Sequence, residues 1–273
     1  MGVSNQQIKR ILKENGYCKR KPLKTIATGK SPHREEQFRI IFFITSLFLE
    51  MSYNPMLSID TKKKEVLGLL TRNEAVLCKD GISPRVYDHD YSYLATGRVI
   101  PHGIYDIRLN KGYITLGSSH ETAAFIIDNL KWWWFEHGSK EYPDATTILI
   151  FCDCGGANGY RHHLFKKLLQ DLAREIGLRI LVVHYPPYCS KYNPIERLLF
   201  SHVHKTISDV LLTDIQQVKE LISKTHTSKG LSVIVRVIVK DYPIGELSKK
   251  ELINPKRILY HPELPNLSYT ILP

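Results

Sequence analysis

The sequence predicts an α/β protein built on a mixed sheet flanked by helices, and three observations carry that expectation. Two short apolar runs of strand length each end on an aspartate, Asp60 and Asp153. Residues 103–109 and 113–116 flank Asn110-Lys111-Gly112, a hairpin signature with a glycine available for positive φ. Beyond that hairpin the pattern alternates helix, strand, helix, strand, helix, the order of a sheet with helices packed against it.

The bulk properties narrow the class. At 273 residues the chain can bury a sizeable core as one large domain or two small ones. With 43% hydrophobic and 24% charged residues it reads as a folded chain, not a disordered one. Its longest apolar run, Ile40 to Leu49, is about half of the roughly 20 residues that span a bilayer. The N-terminus lacks the order of a signal peptide, so a cytoplasmic protein is expected. Five cysteines, odd in number and scattered, argue against a disulfide framework. Cys152 and Cys154 lack the companions of a zinc site and read as small apolar fillers. A net charge of +11 favours a polyanionic partner.

Residues 1–35 form a basic leader. Ser4 with Gln7 makes a capping box, Ile8, Ile11 and Leu12 form an apolar stripe, and Gly16 suits the helix end. Lys9, Arg10 and Lys13 occupy the other face, and Lys19, Arg20 and Lys21 continue as a basic arm. Helix and arm look like the recognition half of a helix-turn-helix, with a solvated amphipathic helix as the plainer alternative. A second helix over 35–50 stops at Asn54-Pro55, and 56–60 reads as a buried strand. Residues 71–97 are polar and irregular, a surface excursion. After the hairpin, 119–138 is a helix whose three tryptophans, Trp132 to Trp134, are assigned mainly to core packing. Strands over 147–152 and 180–184 alternate with helices over 160–176, 194–204 and 214–223. A β-rich run covers 231–239, and the tail beyond it shows little pattern. Three parts are therefore expected: 1–35, 36–228 and 229–273.

Phosphodiester chemistry at neutral pH needs an activated oxygen nucleophile and neutralisation of the leaving oxygen, which two Mg²⁺ ions on hard oxygen ligands supply. Asp60 and Asp153 fall at the carboxyl ends of predicted strands, where ligands collect in open α/β sheets. Glu196, after the rigid loop Pro186-Pro187-Tyr188-Cys189-Ser190-Lys191, would complete a set of three. Two readings of Glu196 stay open: a metal ligand, or the capping-box acid of a helix started by Asn193 and Pro194. Ile195, Leu198, Leu199 and Val203 are assigned to the core side of that helix. The glycines of the 153–159 turn fit neither a P-loop nor a dinucleotide fingerprint and are expected to let backbone or DNA approach Asp153. Lys62 and Lys63, just after Asp60, and Lys191 suit backbone phosphates, although solvated lysines are the plainer meaning. His184 could lie near the acidic residues, with a surface or core role as the plainer reading.

Several blocks carry a family resemblance: Ser58-Ile59-Asp60-Thr61-Lys62-Lys63-Lys64-Glu65, Pro101-His102-Gly103-Ile104-Tyr105-Asp106, the 153–159 turn, and the Pro186-Pro187 loop through Asn193, Ile195 and Glu196. Together they resemble bacterial insertion-sequence DDE transposases of the ISAzo-thirteen type, which are distantly similar to mariner-like transposases. The resemblance implies a ribonuclease-H-like catalytic domain over 36–228 with Asp60, Asp153 and Glu196 as its metal-binding and catalytic acids. It implies two Mg²⁺ ions, with Mn²⁺ able to substitute, and cutting at transposon ends followed by joining to target DNA. Double-stranded DNA, a homodimer that brings two ends together, and work at the nucleoid follow as expectations. Against the family pattern the N-terminus looks shortened, Cys154 stands for glycine, Tyr188-Cys189 for a Gly-Thr pair and Tyr192 for tryptophan. Two alternatives remain: a catalytically inactive, transposase-derived DNA-binding protein, and a ribonuclease-H-like nuclease that cuts without joining.

Overall fold

The computed structural model describes residues 4–18, 33–72, 75–245 and 252–273. The chain divides into two units, 1–30 and 31–273. In the first, α1 (Asn5–Glu14) has its capping box formed in both directions, Gln7 N to Ser4 Oγ and Ser4 N to Gln7 Oε1. Ile8, Ile11 and Leu12 make the expected stripe and are exposed.

The second unit begins with α2 (Arg34–Glu50), which buries Gln37, Ile40, Ile41, Ile44 and Phe48 at helical spacing. Asn54 then ends the connection by accepting from Thr146 N at 2.9 Å and Thr147 N at 3.0 Å, which aligns two strand starts. The next strands are β1 (Met56–Thr61), β2 (Glu65–Leu67), β3 (Gly97–Asp106) and β4 (Lys111–Gly117). Then come α3 (Ala123–Trp133), a π turn over Trp134–Gly138, α4 (Ser139–Glu141), β5 (Thr147–Cys152), α5 (His163–Ile176) and β6 (Arg179–His184). A π turn over Glu196–Phe200 leads into α6 (Ser201–Ile207), followed by α7 (Ile215–Ser223) and β7 (Ser232–Ile238). The chain closes with β8 (Ile258–Tyr260) and β9 (Ser268–Ile271).

Among the described residues the strands form one mixed sheet in the order β7-β4-β3-β1-β5-β6-β9-β8, with β2 paired to β3. β1, β5 and β6 run parallel, β3 antiparallel to β1, and β7 parallel to β4. Strand residues alternate between faces. Leu57, Ile59, Ile104, Ile150 and Val182 meet α3 and α5 on one face, where Trp133 and Trp134 are also buried. On the other face α2 covers Met56, Leu149, Phe151 and Val183, and the 195–207 segment with α7 covers Ile114, Leu116 and Val233.

Several expectations need correction. β3 starts at Gly97, not at 103, because Pro101 stands between the stretches paired to β2 and β1, where a missing N–H leaves no ladder gap unfilled. In the hairpin Asp106 pairs with Lys111, and the positive φ belongs to Asn110 (52°), not to Gly112. Gly112 instead serves close approach: a Cβ there would lie 2.4 Å from Leu199 Cδ1. Leu198 is exposed, and Phe200 takes its place on the core side, because the π turn rotates the following residues. The tail is not patternless: β9 pairs with β6, its alternation hidden by its four-residue length. Residues 229–273 thus supply strands to both edges of the sheet.

Gly103 is the second close-approach glycine, since a Cβ there would lie 2.7 Å from Phe200 Cε1 and 2.8 Å from Ile195 Cδ1. Gly112→Val is expected to lower stability by about 1–3 kcal/mol through overpacking against Leu199. Thermal melts check this, and an unchanged midpoint would show that the turn does not rest on β4.

Candidate active site

Asp60 is the next-to-last residue of β1 and Asp153 the first after β5. The parallel register pairs Leu57 with Ile150 and Ser58 with Phe151, so continuing it by two residues brings Asp60 level with Asp153. Neighbouring strands are about 4.8 Å apart, which sets the two carboxylates side by side. On its other side Asp60 pairs with Gly103, the glycine on which Ile195 and Phe200 rest.

Glu196 arrives from that overlying segment. Ser58 Oγ donates to Asn193 Oδ1 at 2.5 Å and accepts from Ile195 N at 3.0 Å, while Asn193 Nδ2 donates to Ile59 O at 3.1 Å. Asn193 therefore commits its side chain to β1 and does not cap the helix, which removes the capping-box account of Glu196. The loop before it takes a left-handed turn at Tyr188, φ 63°. That conformation is one that glycine adopts freely, and it costs a tyrosine on the order of 1–2 kcal/mol.

The carboxylates sense one another. Burial, then the charge of Asp153, pushes Asp60 up to about 8, with Glu196 and Glu121 adding to the rise. Thr61 N donates to Asp60 Oδ1 at 2.8 Å and offsets part of it. Burial also raises Asp153, against a hydrogen bond from Gly155 N at 3.2 Å. Burial raises Glu196, while a hydrogen bond with Asp60 and the nearby Lys62 charge pull it down. Asp60 is thus pushed furthest of the three towards its neutral form. As the side chains stand, no group of three or more His, Cys, Asp and Glu among the described residues could hold a metal ion. The donor chemistry nevertheless fits one: three crowded carboxylates present hard oxygens to a divalent cation, whose charge would offset their mutual repulsion.

Basic residues border the acids. A cleft of about 570 Å³ beside Glu196 is lined by Lys62, Lys63, Lys64, Arg72, Ser201 and His204 among others. Lys62 Nζ pairs with Glu65 Oε1, Arg72 Nη2 reaches Glu65 Oε2 at 2.8 Å, and Arg72 Nη1 donates to Ile207 O and Val210 O. Lys63 and Lys64 are exposed. Lys191 lies on the loop before Glu196, its Nζ 5.1 Å from the Tyr192 ring centroid. Lys9, Arg10 and Lys13 are exposed on α1 in the first unit, and Lys19, Arg20 and Lys21 lie outside the described residues.

Glu121 and Arg72 carried no sequence signal, being single charges in polar stretches. His184 had an ambiguous one. It is fully buried at the end of β6, burial brings it down to about 4, and its Nδ1 lies 2.7 Å from Asp153 O.

A sheet in this order, with acids at the ends of β1 and β5 and a third on the overlying segment, defines a ribonuclease-H-like fold of the transposase class. The chain belongs to the Rhodopirellula transposase DDE domain family, whose profile matches residues 1–273. The Mos1 strand transfer complex is similar at 14% identity with a TM-score of 0.53, covering 80% of this chain and 61% of that one. A pre-cleavage Mos1 transpososome gives 12% and 0.52, covering 80% and 62%, and a Mos1 paired-end complex with the left transposon end 13% and 0.51, covering 80% and 61%. The chain thus spans about three-fifths of the solved chains it matches, and the likeness is one of fold. No curated protein matches it.

The Glu65 cluster gives a pH test. Burial alone would raise Glu65, but Lys62 and Arg72 outweigh it and hold the group below its ordinary 4.5. Ionised Glu65 therefore stabilises the fold above pH 4.5, and that contribution disappears as pH falls below it. Glu65→Gln is expected to cost about 1–3 kcal/mol at neutral pH. Its unfolding free energy should also lose part of the acid dependence of the wild type, as denaturant titrations across pH 3–7 would show.

Proposed function

We propose that this chain is the catalytic portion of a DNA transposase that cuts DNA at transposon ends and joins the freed 3′ hydroxyl to target DNA. The observation that carries the reading is the convergence of Asp60, Asp153 and Glu196, drawn from three separate segments into mutual electrostatic reach. Membership of the transposase family supports it independently.

In this reading Asp60, Asp153 and Glu196 hold Mg²⁺, or Mn²⁺ in its place, as two ions. The ions supply an activated oxygen nucleophile and neutralise charge at the leaving oxygen. The remaining work belongs to the chain. Lys63, Lys64 and Lys191 meet backbone phosphates, and the cleft beside Glu196 seats the strand. Lys62 and Arg72, tied to Glu65, keep the cleft wall rigid. Lys9, Arg10 and Lys13 on α1, with Lys19, Arg20 and Lys21 after it, give the leader its affinity for duplex DNA. A homodimer holding two ends, working at the nucleoid in the cytoplasm, completes the proposal. No helix among the described residues is long and apolar enough to cross a membrane.

A second reading, a DNA-binding relative without catalysis, draws on the lack of a ready-made metal cluster among the described residues. Cleavage of end-containing duplex DNA with Mg²⁺ or Mn²⁺ separates the two. Asp60→Asn, Asp153→Asn and Glu196→Gln are each expected to reduce nicking at least about a hundredfold while leaving DNA affinity within a few-fold. Nicking that persists in Asp153→Asn would sink the assignment of the acids. DNA binding without any nicking by the wild type would favour the second reading. Replacing Lys63 and Lys64 together by alanine should weaken binding of all sequences alike and lower the salt slope by about 2. An unchanged slope would remove these lysines from the DNA path.

A further inference from the structure

The Asp153 carboxylate hangs from the first residue to leave β5, and the chain beyond it is Cys154-Gly155-Gly156. Two glycines impose little direction on a backbone, so the orientation of Asp153 must come from whatever grips its main chain. That grip comes from β6. His184 pairs with Cys152 in the parallel ladder and is fully buried. Its Nδ1 lies 2.7 Å from the Asp153 carbonyl oxygen and 3.3 Å from Cys152 Sγ, and its Nε2 lies 3.3 Å from the Tyr269 hydroxyl. A carbonyl only accepts, so Nδ1 carries the proton and donates it to Asp153 O. Nε2 is then the acceptor and the Tyr269 hydroxyl the donor.

The imidazole itself has a fixed base. Gln37 Nε2 on α2 donates to His184 O at 2.6 Å, and His184 N donates to Leu267 O at 2.8 Å. Tyr269, on β9, is buried, with the Lys166 ammonium 4.9 Å from its ring centroid. A second tie, Cys154 Sγ to Tyr185 O at 2.9 Å, holds the next residue. Elements that contribute no carboxylate thus converge on one main-chain oxygen.

We propose that His184 is a positioning residue for Asp153. Braced by the Tyr269 hydroxyl, its imidazole holds the Asp153 carbonyl and thereby aims the Asp153 carboxylate at Asp60. The inference rests on the metal-site reading of Asp153 given above. Partners that orient metal-binding groups commonly affect metal affinity by about 10–100-fold.

The test uses the full chain, with Mn²⁺ uptake followed by electron paramagnetic resonance and backbone amide exchange at 153–156 measured without metal. His184→Leu is expected to weaken Mn²⁺ binding about tenfold or more and to speed exchange at 153–156. His184→Asn, whose Nδ2–H takes the place of Nδ1–H, should recover affinity to within about threefold, a rescue that a space-filling role would not give. Tyr269→Phe, which removes only the hydroxyl, should fall between. A folded His184→Leu protein with wild-type affinity and exchange overturns the inference. Should that variant not fold, Tyr269→Phe decides: faster exchange with weaker Mn²⁺ binding supports the bracing, and wild-type values overturn it. If Asp153→Asn binds Mn²⁺ as the wild type does, the carboxylate reading falls and takes the inference with it. If Asp153→Asn loses the metal and the His184 and Tyr269 variants do not respond, the inference alone fails.

Discussion

The seating of the 195–200 segment on the glycines of β3 and β4 is the contact on which the site depends. Gly103 and Gly112 leave no side chain between the sheet and Ile195, Leu199 and Phe200. Because Gly103 is also the cross-strand neighbour of Asp60, the segment that rests on it delivers Glu196 beside that aspartate. The hydrogen bonds of Ser58 with Asn193 and Ile195 hold the same segment to β1 two residues before Asp60. Packing and polar contacts therefore locate Glu196 from two directions. A larger side chain at either glycine would lift the segment, and the geometry of the acids would change with it.

Gathering three carboxylates in a half-buried place works against stability. Desolvation disfavours each charge, and the neighbours disfavour it further, which is why Asp60 rises to about 8. The fold offsets part of this through the Thr61 N–H that donates to Asp60 and through the nearby Lys62 charge. Lys62 is bound to Glu65 yet still lowers Glu196, so one lysine serves both the wall of the cleft and the acids. Crowded carboxylates of this kind offer hard oxygen donors suited to a divalent cation. The Rhodopirellula transposase DDE domain family supplies the biological setting for that chemistry.

Much of this was legible in the chain, and the rest was hidden for physical reasons. The aspartates at strand ends were readable because an apolar run that stops on an acid marks the edge of a sheet. Glu196 was ambiguous, since Asn-Pro-x-Glu is also a good helix start, and only the tertiary structure shows the Asn193 side chain committed to β1 instead of to a cap. β8 and β9 escaped notice because three- and four-residue strands carry too little alternation to register. Gly112 was assigned to a turn because a glycine that serves close packing looks the same in sequence as one that serves positive φ.

By itself, the sequence determined the strand-ending aspartates, the helix–strand alternation, the basic character and the family, because these reside in local pattern and in residues fixed along the chain. Tertiary structure alone decided that Asp60 stands level with Asp153, that Glu196 comes within electrostatic reach of both, and that a histidine from β6 lies within hydrogen-bond distance of the Asp153 carbonyl. These are contacts between residues tens of positions apart. Their existence depends on sheet register and on which faces pack, and neither is written in any single segment.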